Sequence, residues 1–171
     1  MHSELSATDQ VGFTLTHGNG SADRGAVLGS GLIIDANMHL VLRDENGNIK
    51  DERLVHNTVT TAGKAGIADQ VLASPTLVKM GWMAIGTGSP AATLLGTETS
   101  RVAFTSKTRS TNVVTVQGDW AAGTGTGAIT EAGTFDVVTA NTVNMWMSAS
   151  FSVINKGASD TLSIVWTLTV A

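Results

Sequence analysis

The strongest constraint on this chain is the alternation near its C-terminus. Leu162, Ile164, Trp166, Leu168 and Val170 alternate with Ser163, Val165, Thr167 and Thr169. A period of two over nine residues puts every second side chain on one face, so the segment reads as a strand with one face on a core. Similar, shorter runs precede it. Met145, Met147, Ala149, Phe151 and Val153 fall on one face, with Trp146, Ser148, Ser150 and Ser152 on the other. Val102, Phe104 and Ser106 alternate with Arg101, Thr105 and Lys107, and Val113 to Val116 forms another run. Trp82 to Ile85 stops at the turn cluster Gly86-Thr87-Gly88-Ser89-Pro90. Leu40-Val41-Leu42 and Ile49 to Val55 flank Asn46-Gly47, a strong hairpin signal because Asn-Gly suits turn positions with positive φ.

Strands joined by short Gly/Ser/Thr turns predict a mainly β chain, an antiparallel β-sandwich or jelly-roll-like domain over residues 26–171. Composition agrees, with 19 Gly and 24 Thr in 171 residues and no Tyr. One helix is expected near residues 62–73 (Ala62 to Ala73). Thr60 or Thr61 caps it, Ala62, Ala65, Ala68, Val71 and Leu72 form its apolar face, and Ser74-Pro75 ends it. Gly63 and Gly66 weaken it by roughly 1 kcal/mol each. Residues 1–25 are polar and Gly-rich without a period. They read either as an extended N-terminal arm that orders on a partner or as a plain disordered terminus.

Composition also removes function classes. The chain has no Cys, which excludes disulfides, thiolate metal sites and cysteine nucleophiles. A net charge of −4 argues against a general nucleic-acid binder. A charged fraction of 14% is well below the usual quarter and fits a protein that lives inside an assembly. The N-terminal MHSELSATDQ lacks the basic-then-apolar pattern of a signal peptide, and no apolar run approaches a membrane span.

The catalytic and ligand-binding templates fail one by one. His2, His17, His39 and His56 show no metal-ligand spacing. Asp44 to Asn48 resembles the start of a calcium loop, but Ile49 and Val55 stand where Gly and Glu are required. Gly123-Thr124-Gly125-Thr126-Gly127 lacks the Lys-Ser/Thr of a phosphate loop. No nucleophile elbow is present. Glu98 and Glu131 make a poor pair of glycosidase acids. A local Glu98–Arg101 ion pair and a Glu131 that accepts backbone N–H bonds near Ala132-Gly133 are the better readings. No catalytic, cofactor or metal residue is therefore assigned, and no cofactor is expected.

Trp146 is the informative oddity. A large aromatic on a face otherwise made of Ser148, Ser150 and Ser152 marks either a contact with another chain or a sheet covered on both faces within one domain.

Several motifs carry a resemblance, in this order. They are Asn57 to Gly63, Trp82-Met83-Ala84-Ile85-Gly86-Thr87-Gly88, Glu98 with Arg101, Ile129-Thr130-Glu131-Ala132-Gly133-Thr134-Phe135, Phe151 to Lys156, and Asp160 to Thr169. Over about residues 40 to 170 the chain resembles a β domain of tailed-bacteriophage virion structural proteins. The motifs are turns and strands and include no catalytic signature. Within that group the chain is most like a capsid decoration, or cement, protein. The resemblance implies a non-enzymatic protein made in the bacterial host cytoplasm and placed on the outer surface of the phage head. It implies a homotrimer that binds the major capsid protein, with no nucleic-acid or membrane partner. Trp146, Ser148, Ser150 and Ser152 are then the expected oligomer interface, and Phe13, Leu15, His17 and Arg24 the expected capsid-docking residues of the arm. The alternative is a short head or tail fibre or tail-associated protein that contacts the host, though the chain has no repetitive shaft. A carbohydrate-active sandwich enzyme is a third class, disfavoured by the missing acid pair.

Overall fold

A computed structural model describes residues 33–171. The expected arm, with Phe13, Leu15, His17 and Arg24, lies outside the described residues. Two five-stranded antiparallel sheets pack as a sandwich with one short helix. In chain order the elements are β1 (Ile34–Arg43), β2 (Ile49–His56), β3 (Thr58–Val59), α1 (Thr61–Asp69), β4 (Trp82–Gly86), β5 (Glu98–Ala103), β6 (Ser106–Ser110), β7 (Val113–Trp120), β8 (Gly127–Phe135), β9 (Met145–Lys156) and β10 (Thr161–Val170). The first sheet runs β2-β1-β10-β7-β6 and the second β3-β9-β8-β4-β5.

The alternating final segment is β10, and it sits at the centre of the first sheet. It pairs with β1 from Ile34↔Val170 to Arg43↔Thr161, and with β7 from Leu162↔Trp120 to Thr169↔Val113. Its buried residues Leu162, Ile164, Trp166 and Leu168 meet Ala36, Met38, Leu40 and Leu42 from β1 in the main core. The second sheet contributes Met83, Ile85, Ala132, Met147 and Ala149 to the same core. Trp82, Ala84, Phe135 and Met145 form a second small cluster with Leu95, which comes from the loop between β4 and β5. The second sheet is thus buried on both faces.

Three local readings change in the structure. The Asn46-Gly47 hairpin forms, but only Gly47 has positive φ (83°). The Asp44 carboxylate accepts N–H bonds from Asn46 and Asn48 and sets the turn instead. The single run from Arg101 to Lys107 is two strands: β5 ends at Ala103 in the second sheet and β6 begins at Ser106 in the first. A strand that crosses between sheets keeps its alternation, so periodicity does not reveal the crossing.

The third change concerns α1. It ends at Asp69, short of the expected Ala73, and Val71 and Leu72 are exposed. Its buried face holds Gly63, Gly66 and Asp69, not the expected alanine stripe. Thr60 caps it as expected and accepts the Gly63 N–H at 3.0 Å. The Thr60 N–H also donates to the Trp146 carbonyl at 3.0 Å, pinning the helix start to β9. A Cβ on Gly63 would overlap the Trp146 carbonyl, and one on Gly66 would overlap the indole ring. The glycines that weaken the helix are therefore what lets it lie against the tryptophan.

Candidate functional site

The residues that carry the resemblance assemble into a scaffold. Glu131 on β8 is fully buried. Its carboxylate accepts N–H bonds from Gly88 (2.9 Å), Thr97 (2.8 Å) and Gly96 (2.8 Å). The donors are both ends of the β4–β5 loop, not the expected neighbourhood of Ala132-Gly133. A buried carboxylate needs such donors, because burying it unpaired is prohibitive. A Cβ on Gly86 would strike the Glu131 carboxylate, which explains the glycine at the loop's start.

Beside it, Arg101 and Glu98 form a bidentate ion pair at 2.8 Å, with side chains 3% and 2% exposed. The guanidinium also lies 3.8 Å from the centre of the Phe135 ring and donates to the Val137 carbonyl at 2.8 Å. Glu98 accepts the Asn141 N–H at 2.9 Å. The expected local pair exists, but the 136–144 loop covers it. Such a network fixes two loops on the second sheet.

The Lys156 side chain is buried at the β9–β10 turn and donates to the carbonyls of Asp160 (2.6 Å) and Ala121 (3.1 Å). Burial pushes its pKa down, while Asp160 pulls it back up. The Asp160 carboxyl is held below the usual range by its hydrogen bond from Lys50 (2.7 Å) and by the Gly157 N–H. Every one of these groups is occupied in holding a turn or loop.

The expected oligomer-interface residues separate. Trp146 is 6% exposed and covered by α1. Ser148 is half-buried and pairs with Thr58, while Ser150 and Ser152 are exposed. Arg53 on β2 donates to the Ser152 carbonyl at 2.7 Å and bonds its hydroxyl, clamping the two sheets together along the β2 edge. The structure therefore places Trp146 inside the domain, while Ser150 and Ser152 are exposed and Ser148 only partly so.

Two surfaces escaped the reading of the sequence. The segment after α1 exposes Val71, Leu72, Leu77 and Val78 in quick succession. Asp69 holds this segment by accepting the N–H groups of Thr76 and Leu77, each at 2.9 Å. Those bonds, Leu77 first, keep the Asp69 carboxyl below its ordinary range. Leu77 and Val78 share a hollow of about 240 Å³ with Ala62, Ala65, Asp136 and Asn144. Val138 and Val143, on the 136–144 loop, are exposed as well.

The other surface is a cleft of about 630 Å³ at the β6 edge. Its apolar walls include Ile67, Met80, Trp146 and Leu168, and Lys79, Lys107 and Arg109 stand around it. Lys107 and Arg109 pair with Val116 and Val114 across β6–β7, so they occupy positions on the face that the core uses. No single stretch of sequence could have shown this cleft, since its lining runs from Ile67 to Val170.

Among the described residues, no three His, Cys, Asp or Glu side chains gather as a metal site. His39 and His56 lie at 2.8 Å from Glu52 and 3.6 Å from Asp35. No helix of the described residues is long and apolar enough to cross a membrane. In comparisons with protein-family models, curated proteins and solved structures, the chain matched none.

Proposed function

We propose that this protein is a non-enzymatic structural component of a tailed-phage virion that self-associates as a trimer and decorates the outer capsid surface as a cement protein. The resemblance of the β4, β8, β9 and β10 motifs supplies the virion reading. The observation that carries the assembly reading is the exposed aliphatic series Val71, Leu72, Leu77 and Val78, 47–87% exposed. Large aliphatic side chains exposed this close together in the chain are the kind of surface that meets another chain. Lys79 is the only charge between Gln70 and Met80, so close approach of a second copy carries little desolvation cost there. Repetition of a modest contact around a symmetric oligomer then supplies avidity for a lattice.

The test has two parts. Native mass spectrometry of the wild-type chain should give a closed oligomer, and Leu77→Glu with Val78→Glu should give monomer. Antibody labelling of intact virions should then decorate the head evenly. Label confined to the tail would replace the cement role with the fibre or tail-associated role. A virion without label would remove the virion reading.

A further inference from the structure

The β6 edge combines three features that have no use among the described residues. First, among the described residues β6 pairs only with β7, so its other side is a strand edge that none of them covers. Second, that edge borders the large cleft, whose walls are apolar. Third, three cations stand around the cleft and no Asp or Glu among the described residues lines it, although the chain as a whole carries −4. Lys107 donates only to the Met80 carbonyl (2.9 Å) and Arg109 to the Thr111 carbonyl (2.6 Å). Neither they nor Lys79 make an ion pair with a described residue, whereas Arg53, Arg101 and Lys50 all do.

We propose that the cleft and the free edge of β6 form a docking site for an extended acidic segment of another protein, with an aliphatic or aromatic anchor and carboxylates two residues to either side of it, on the same face of the added strand. The anchor enters the cleft, the carboxylates meet Lys79, Lys107 and Arg109, and the backbone adds a strand to β6. The volume is within the range of cavities that take a ligand of several side chains. Charge complementarity selects the occupant. A second copy pairing edge to edge would bring Lys107 and Arg109 against their own counterparts, which is unfavourable. A fatty carboxylate would satisfy the cations but leave the strand edge unused. Partial desolvation, and to a lesser degree the neighbouring Lys79, push the Lys107 pKa down, and a carboxylate would offset the repulsion between the two lysines. This site borders the aliphatic surface of residues 71–78 at Gln70 and Lys79 but shares none of its aliphatic side chains, and it does not depend on where in a virion the protein sits.

The experiment uses the full chain and a capped fluorescent heptapeptide with a central phenylalanine, glutamates two residues to either side of it and threonine at the other positions, so that anchor and carboxylates share one face of the strand. Its counterpart carries lysine in place of glutamate. Fluorescence anisotropy should show saturable binding of the acidic probe and none of the basic one. Added salt should weaken the binding. Lys107→Glu with Arg109→Glu should cost at least about tenfold in affinity. Both side chains are exposed, so an unchanged melting temperature verifies that the variant is folded. Hydrogen exchange at residues 106–110 should slow when the acidic probe binds. Equal binding of both probes, or binding indifferent to the double reversal, would overturn the proposal. So would a site that takes dodecanoate but not the peptide, or a concentration-dependent dimer that the double reversal abolishes.

Discussion

On the outer face of the second sheet, Glu98, Arg101 and Glu131 are buried and each polar atom meets a partner. At the β6 edge, Lys107 and Arg109 are exposed, bonded only to carbonyls, and set around an apolar cleft. Both regions join loops to a sheet, and both place charge beside apolar surface. They differ in closure. The first uses opposite charges and backbone donors to finish a structure. The second collects charges of one sign that no described residue compensates. Charge that completes a fold is a matter of stability, and removing one partner is costly. Charge left unpaired at a rim contributes little to stability and is available for a partner.

That contrast can be broken by substitution. The largest effect is expected at Glu131→Gln, which turns an amide NH₂ toward a backbone N–H donor. We expect a loss of about 2–4 kcal/mol in urea unfolding. A loss below about 1 kcal/mol would show that the β4–β5 loop does not need its carboxylate. Next is Gly66→Ala, at the helix that roofs Trp146. Helix propensity alone predicts a gain of about 1 kcal/mol. Overlap with the indole ring predicts a loss of about 1–3 kcal/mol, and we expect the loss to win. A net gain in melting temperature would mean that the helix and tryptophan are not in close contact. The smallest effect is expected at the rim. Lys107→Ala with Arg109→Ala should change stability by no more than about 0.5 kcal/mol. A larger loss would make the rim part of the fold and erase the contrast.

The sequence was legible where a rule is local. The period of β10, the hairpin at Gly47 and the Thr60 cap follow from neighbours in the chain. The i,i+3 spacing of Glu98 and Arg101 gave the pair but not its burial, because Phe135 and the 136–144 loop arrive from elsewhere. The face of α1 was misjudged for a related reason. Alanine outranks glycine by apolarity, but the neighbour is an indole, and only glycine leaves room for it. The serines beside Trp146 leave two coverings open, another chain or a second layer of the same domain. A tertiary contact, invisible in the alternation, covers the indole. The cleft and the exposed 71–78 surface depend on how distant elements meet.

The position of β10 between β1 and β7 has a kinetic consequence. The strand that completes the first sheet is made after both of its neighbours. Until Thr161 to Val170 are available, β1 and β7 each present an open edge. Their pairing joins residues far apart in the chain, the arrangement associated with folding over about milliseconds to seconds rather than microseconds. During that interval the nascent chain is at its most prone to pair with a neighbouring copy. The last strand is therefore also the safeguard against aggregation during synthesis.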